Sequence, residues 1–179
     1  KQPVQGWTTL SLRITVSTSW SAAAAADHEV ETVILRERVV HPCTGCFSCW
    51  LRTPGLCIYD DDHAEILRSF LNSNVVLFAS PLVAGFYTSL LKTTIDRLIP
   101  LVLPYIEYAK GECRHPFRYG RPSPSFGFLY DPEEDTDQED VGIVSGSFER
   151  SARNMNTRLL FTRPLSDDPQ EVCHAFERV

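Results

Sequence analysis

The chain has 179 residues, 43% of them hydrophobic, and its 17 Lys and Arg against 23 Asp and Glu give a net charge of −6. That length suits one domain around a single core, 1–179, and is short for two. The charge balance lacks the basic face of a duplex binder, and the longest apolar stretches fall well short of the roughly 20 residues of a membrane span, so neither nucleic acid nor membrane is an expected partner and a soluble cytoplasmic protein is expected.

In chain order, "LSLRITVS" (10–17) places apolar residues on alternate positions, the period of a strand. The polar run "STSWS" and five alanines follow, and "VETVIL" (30–35) reads as a second strand. Only about a dozen residues separate the two, near the minimum for a parallel crossover with its helix. Beyond the cysteine-rich segment 41–60, Asp62 and Glu65 have the form of a capping box, and Ile66, Leu67, Phe70 and Leu71 continue at helical spacing to about Asn72–Asn74. "VVLFAS" (75–80) suits a strand buried on both faces and bounded by "SP". "TSLLKTTIDRLI" (88–99) reads as a helix stopped by Pro100 and Pro104, with Lys92 and Asp96 spaced to pair across one turn. "SFGFLY" (125–130) and "TRLLFT" (157–162) supply two more strands, with helices around 141–155 and 168–178. Strands alternating with helices predict an α/β protein with a parallel, helix-covered sheet.

Two charged segments lie between these elements. "DPEEDTDQED" (131–140) holds seven acids and reads as a solvated surface loop. "KGECRHPFRYGR" (110–121) interleaves Lys110, Arg114, Arg118 and Arg121 with aromatics, as a solvated loop or as a lid or phosphate seat for a nicotinamide cofactor.

Four of the six cysteines fall within fifteen positions: Cys43, Cys46, Cys49 and Cys57, spaced C-x2-C-x2-C-x7-C. Two consecutive short intervals let three thiolates converge on one object from a tight loop, while a fourth reaches it from a few residues on. Iron–sulfur clusters and structural zinc both use such geometry, and three closely spaced cysteines favour the cluster. Unliganded thiols remain a further reading, and disulfides suit a small secreted scaffold that this chain does not resemble. Gly45 and Gly55 fit a backbone bending around a bulky group. Cys113 and Cys173 read as ordinary packed thiols, and His41 and His63 as surface or capping residues.

The order "CTGCFSCWLRTPGLCIYDDD", helix, "VVLFASPLVAGFYTSLLKTTIDRLIP" resembles the iron–sulfur flavoproteins and the wider NADPH-dependent FMN reductase group of the flavodoxin-like superfamily. The resemblance implies a three-layer sandwich around a five-stranded parallel sheet in the order 2-1-3-4-5. It also implies one FMN at the carboxyl ends of the strands, a four-iron four-sulfur (4Fe–4S) cluster on Cys43, Cys46, Cys49 and Cys57, and assembly into homodimers or homotetramers.

The residues support a flavin site of their own accord. In an open α/β sheet a ligand sits beyond the carboxyl ends of the strands, where strand order reverses. There "SPLVAGFYT" (80–88) offers Pro81 to fix a turn, Gly85 for close backbone approach, Phe86 and Tyr87 as aromatic walls, and backbone amides along Ser80, Leu82, Val83 and Ala84. Family members hold the FMN phosphate on a glycine- and serine-rich loop after strand one; here Ser17, Ser19 and Ser21 supply hydroxyls without a glycine.

The leading functional expectation is a redox flavoprotein passing electrons between FMN and an iron–sulfur cluster, with small-molecule or protein donors and acceptors, NAD(P)H among them. No catalytic acid–base residue is expected. The alternatives are an NAD(P)H-dependent FMN or quinone reductase with structural cysteines, and a non-enzymatic, metal-stabilised binding module.

Overall fold

A computed structural model describes residues 11–14, 29–109 and 111–173. Strands β1 (Ser11–Ile14), β2 (Glu29–Thr32), β3 (Val75–Val83), β7 (Ser125–Asp131) and β8 (Leu159–Pro164) join in the order β2-β1-β3-β7-β8, every pair parallel. The two-residue β4 (Phe86–Tyr87) folds back antiparallel on the end of β3. A separate hairpin is made by β5 (Glu107–Ala109) and β6 (Glu112–Arg114). The helices are α1 (Ser48–Leu51), α2 (His63–Leu71), α3 (Ser89–Asp96), α4 (Gln138–Asn154) and α5 (Pro169–Cys173).

Strand alternation divides the core. Val76, Phe78, Phe126 and Phe128 face one side and pack with Leu67 and Phe70 of α2, Leu91 of α3, and Val144, Phe148 and Ala152 of α4. Val75, Leu77 and Leu129 face the other and meet Val172 of α5. β3 and β7 are therefore covered on both faces, which is why they read as unbroken apolar runs. Each fully buried aliphatic or aromatic side chain here contributes roughly 1.5–3 kcal/mol. Gly127 lies where a Cβ would stand 2.5 Å from Leu77 Cδ2 and 2.6 Å from Phe161 Cζ, so the packing leaves no room for a side chain.

Several sequence expectations are corrected. β3 runs three residues past Ser80, because its end pairs with β4, Leu82 against Tyr87 and Val83 against Phe86. Pro81 thus sits inside the strand, and the turn is made by Ala84 and Gly85, both at positive φ (52° and 73°) as a two-residue hairpin with strand-matched twist demands. Asp62 precedes α2 without capping it; its carboxylate instead accepts from Val39 N–H at 2.7 Å. α3 ends at Asp96, and a single 3-10 turn over Ile99–Leu101 follows. The acidic run is not loop throughout: Asp137 caps α4 in a reciprocal capping box with Asp140, and Glu139 and Asp140 occupy the first helical turn. His63 is wholly buried rather than at the surface, its Nε2 3.0 Å from the Thr94 carbonyl.

Candidate functional site

The cysteine segment is a closed loop with pinned ends. Asp62 N–H donates to the Val39 carbonyl at 3.1 Å, while the Asp61 carboxylate accepts from His41 N–H at 2.9 Å. Arg97, just past α3, completes the closure by pairing through Nη1 with the Asp61 carboxylate and donating to the His41 carbonyl at 3.1 Å. Both side chains of the ion pair are 1% exposed. Tyr59 packs over this knot, stacked on His41 at 5.1 Å with the Arg97 guanidinium 5.6 Å from its ring centre.

Within the loop, Gly45 (φ 66°) and Phe47 (φ 54°) take left-handed backbone, which turns the chain between the first three cysteines and starts α1. The Trp50 indole N–H of α1 is shared by the carbonyls of Ile99 (3.2 Å) and Val102 (3.0 Å). Arg118 reaches the same segment, donating from Nε to the Pro100 carbonyl at 2.8 Å and from Nη2 to that of Val102 at 3.1 Å. It also lies against Gly55, where a Cβ would meet Arg118 Cδ at 3.4 Å.

This scaffold brings Cys43, Cys46, Cys49 and Cys57 to one cavity, walled otherwise by Phe47, Tyr59, Ile99 and Pro100 and by the Arg97 guanidinium. All four are free thiols; Cys49 is buried, Cys57 half-buried, and Cys43 and Cys46 are exposed. Their electrostatics differ. Hydrogen bonds from the Ser48 hydroxyl and backbone lower the Cys46 pKa, whereas burial and the neighbouring sulfurs of Cys57, Cys43 and Cys46 raise that of Cys49. Burial disfavours ionisation of Asp61, yet hydrogen bonds from Arg97 and His41 hold its carboxyl well below the ordinary range. The same burial works against the Arg97 charge and is outweighed by Asp61 and by the nearby Cys57 sulfur.

Among the described residues no three His, Cys, Asp or Glu side chains are gathered tightly enough to hold a metal ion. A tetrahedral zinc site with Zn–S near 2.3 Å needs its sulfurs within about 4 Å of one another, so the arrangement does not match a mononuclear centre. It does fit a larger polynuclear group. All four cysteines line one cavity with Phe47, Ile99 and Pro100 among its walls, and two buried Arg97 donors, Nε and Nη2, have no partner. Sulfur acceptors in that space would satisfy both donors.

The expected flavin segment is a rigid hairpin at the carboxyl end of β3. Leu82 and Tyr87 point into the core, Tyr87 tilted on Phe148 at 5.2 Å with its hydroxyl 3.2 Å from Ser147 Oγ. Phe86 is half-buried and stacked on Tyr87, while Pro81, Val83 and Ala84 are exposed. Ser80 Oγ accepts from Thr88 N–H at 3.0 Å, and Thr88 Oγ1 caps α3, accepting from Leu91 N–H. The acidic segment closes over the turn: Glu133 accepts from Ala84 N–H at 3.1 Å, and a Cβ on Gly85 would fall 2.3 Å from Asp140 Oδ1. Ser17, Ser19 and Ser21 lie outside the described residues, as does Lys110. Asp61, Arg97 and Trp50 are not among the residues the sequence suggests for a site, and Arg118, expected in a solvated loop or a nicotinamide lid, instead braces the segment behind the cysteine loop. The signal for the first two is the acidic triplet 60–62 together with an arginine at the end of an amphipathic helix.

A mainly parallel sheet with helices on both faces is the architecture of a flavodoxin-like α/β protein. Solved structures of this fold superpose on nearly the whole chain. An FMN-dependent NADH-azoreductase from Bacillus anthracis, in complex with FMN, has a TM-score of 0.52 at 15% identity over 95% of both chains. The Trp repressor binding protein of Bacillus subtilis has a TM-score of 0.52 at 12% identity, covering 94% of each chain. The chain belongs to the NADPH-dependent FMN reductase family, whose sequence profile matches residues 14–114. Curated relatives include an iron–sulfur flavoprotein of Archaeoglobus fulgidus, 38% identical over 72 residues (40% of this chain and 32% of that one). Another, from Methanocaldococcus jannaschii, is 32% identical over 97 residues, 54% of this chain and 47% of the relative. The chain thus matches between a third and a half of the length of these relatives. Among the described residues no helix is long and apolar enough to cross a membrane.

Proposed function

We propose that the chain is a flavin-dependent oxidoreductase that holds a 4Fe–4S cluster on Cys43, Cys46, Cys49 and Cys57 and FMN at the carboxyl edge of its sheet, with NAD(P)H as a donor. The carrying observation is the convergence of the four cysteines on one cavity that also receives two unpartnered donors of buried Arg97. FMN, when bound, exchanges one or two electrons and the cluster exchanges one, so together they connect hydride donors to single-electron acceptors. The chain's own residues supply the frame. Asp61 and His41 fix the loop ends, α1 is anchored through Trp50, and Phe47, Ile99 and Pro100 supply apolar walls to the cavity that Cys49 also lines.

For the flavin, Ser17, Ser19 and Ser21 would donate to the phosphate, and the segment Ser80, Pro81, Leu82, Val83, Ala84, Gly85, Phe86 and Tyr87 would form the ring site, with its exposed members against the ring. Exposed Val83 and Pro81 at the end of β3 support a flat apolar contact there, whereas Leu82 and Tyr87 would act from behind, by fixing the hairpin. The all-parallel pairing of the five long-range strands supports the order 2-1-3-4-5 that such an edge requires. Homodimers or homotetramers belong to the same reading.

Anaerobic purification tests it. About four irons and four sulfides per chain are expected, with flavin bands in the visible spectrum, and Cys46→Ser should lose most of the iron. Stoichiometric zinc without sulfide would overturn the cluster, and a colourless, flavin-free protein that binds no FMN at micromolar concentration would favour the binding module.

A further inference from the structure

Arg97 is the largest fully buried side chain described, and its five N–H donors are used unevenly. Nη1 serves the Asp61 carboxylate and the His41 carbonyl, while Nε and Nη2 have no partner. Buried donors in native proteins are nearly always satisfied, so two on one side chain call for an acceptor that belongs in the space they face. That space is the cysteine cavity, whose lining includes no carboxylate. The structural duties of the residue are discharged by Nη1 alone, which leaves the rest of a planar, permanently charged fork at the wall of a cavity where Cys57 is its nearest sulfur neighbour in electrostatic effect.

On the reading that the four cysteines hold a cluster, we propose that Arg97 sets the cluster's reduction potential: its Nε–H and Nη2–H donate to sulfur in the cysteine cavity, and Asp61 and His41 fix the guanidinium in the position from which they do so. Arg97 is a positioning and tuning residue and not a ligand. One-electron reduction adds a negative charge to the centre. A neighbouring positive charge and N–H donors to sulfur stabilise that reduced form more than the oxidised one, and the burial of Arg97 itself, 1% exposed, reduces the screening of its charge by solvent. The presence of Arg97 therefore raises the potential. Its reach is local, because the Asp61 carboxylate offsets much of the charge at longer range, so the hydrogen bonds carry most of the effect.

The test uses Arg97→Gln and Arg97→Lys in the full chain, purified anaerobically. Iron and sulfide are assayed first, and the midpoint is then read from the cluster's electron paramagnetic resonance signal during titration with dithionite and mediators. The wild type decides the underlying reading: without iron and sulfide there is no cluster to tune. Given a loaded wild type, Arg97→Gln should shift the one-electron equilibrium about tenfold or more toward the oxidised form, ~59 mV for each factor of ten. Arg97→Lys should shift it in the same direction by less, since the charge stays and the fork is lost. Full iron with an unchanged midpoint in Arg97→Gln overturns the proposal and leaves the cluster intact. If Arg97→Gln loses its iron, Arg97→Lys decides, a lowered midpoint supporting the proposal and a wild-type midpoint overturning it. Loss of iron from both variants with wild-type circular dichroism and melting overturns the tuning role in favour of one in retaining the group. Loss of the fold in both overturns the proposal in favour of a purely structural ion pair.

Discussion

His63 makes the stability of this protein depend on pH across a defined window. Burial, reinforced by the positive charge of Arg97, pushes its imidazole from an ordinary 6.5 down to about 4, against the weaker upward pull of the Thr94 carbonyl and Asp61. Its Nδ1 is buried and unpartnered while Nε2 faces the Thr94 carbonyl, the pattern of a neutral ring with its proton on Nε2. Between those two pKa values the unfolded chain binds a proton that the folded chain refuses, so stability rises with pH through the window and is lost as pH falls from about 6.5 toward 4. The whole window is worth about 3 kcal/mol, and roughly 2 kcal/mol of it is gone at pH 5. Urea unfolding followed by circular dichroism at pH 7 and pH 5 reads this directly. Carboxylates titrate nearby, so the decisive quantity is the difference between the wild type and His63→Gln, whose neutral amide can still donate to Thr94. The variant should lose about 2 kcal/mol less than the wild type between the two pH values. Equal losses would refute the assignment.

Two further outcomes test the core. Phe148→Ala removes a ring that is 1% exposed and stacked 4.1 Å from Phe128, and should cost about 3–5 kcal/mol in denaturant unfolding without displacing the sheet's far-ultraviolet signature. Gly127→Ala inserts a methyl against Leu77 and Phe161 from a position between β3 and β8, and a loss of roughly 1–3 kcal/mol is expected from overpacking, read as a lowered melting temperature.

The elements that were legible in the sequence are those whose pattern reports burial. β3 and β7 are covered on both faces and read as continuous apolar runs, and α3 shows its cap at Thr88 and its Lys92–Asp96 pair in the local sequence. Partners distant in the chain misled it. Asp62 has the spacing of a capping box, yet a backbone donor twenty-three positions away captures its carboxylate. Pro81 looked like a strand end, but the strand continues because β4 folds back on it, and only the positive φ at Ala84 and Gly85 makes that return possible. The β5–β6 hairpin lies in a charged stretch without alternating apolar residues, so no periodicity announced it. At the site, the cysteine spacing was visible at once. The buried arginine behind it was not, because nothing in the sequence reports that Arg97 is enclosed until Asp61 and Tyr59 are seen around it.

The anchoring of α1 also fixes an order of events during synthesis. Cys43 to Cys57 leave the ribosome before the residues that pin them: Trp50 waits for carbonyls 49 and 52 residues downstream, and Asp61 waits for an arginine 36 residues away. The last clamp, Arg118 against the Cys49 carbonyl, spans 69 residues, which takes roughly 3–14 s to translate at about 5–20 residues per second. Through that interval the four thiols belong to an unclosed ribbon, open to oxidants and to adventitious copper or zinc. A cell that makes this protein has a reason to keep the nascent chain reduced, and to deliver whatever the cysteines hold only once the segment beyond α3 has emerged and closed behind them.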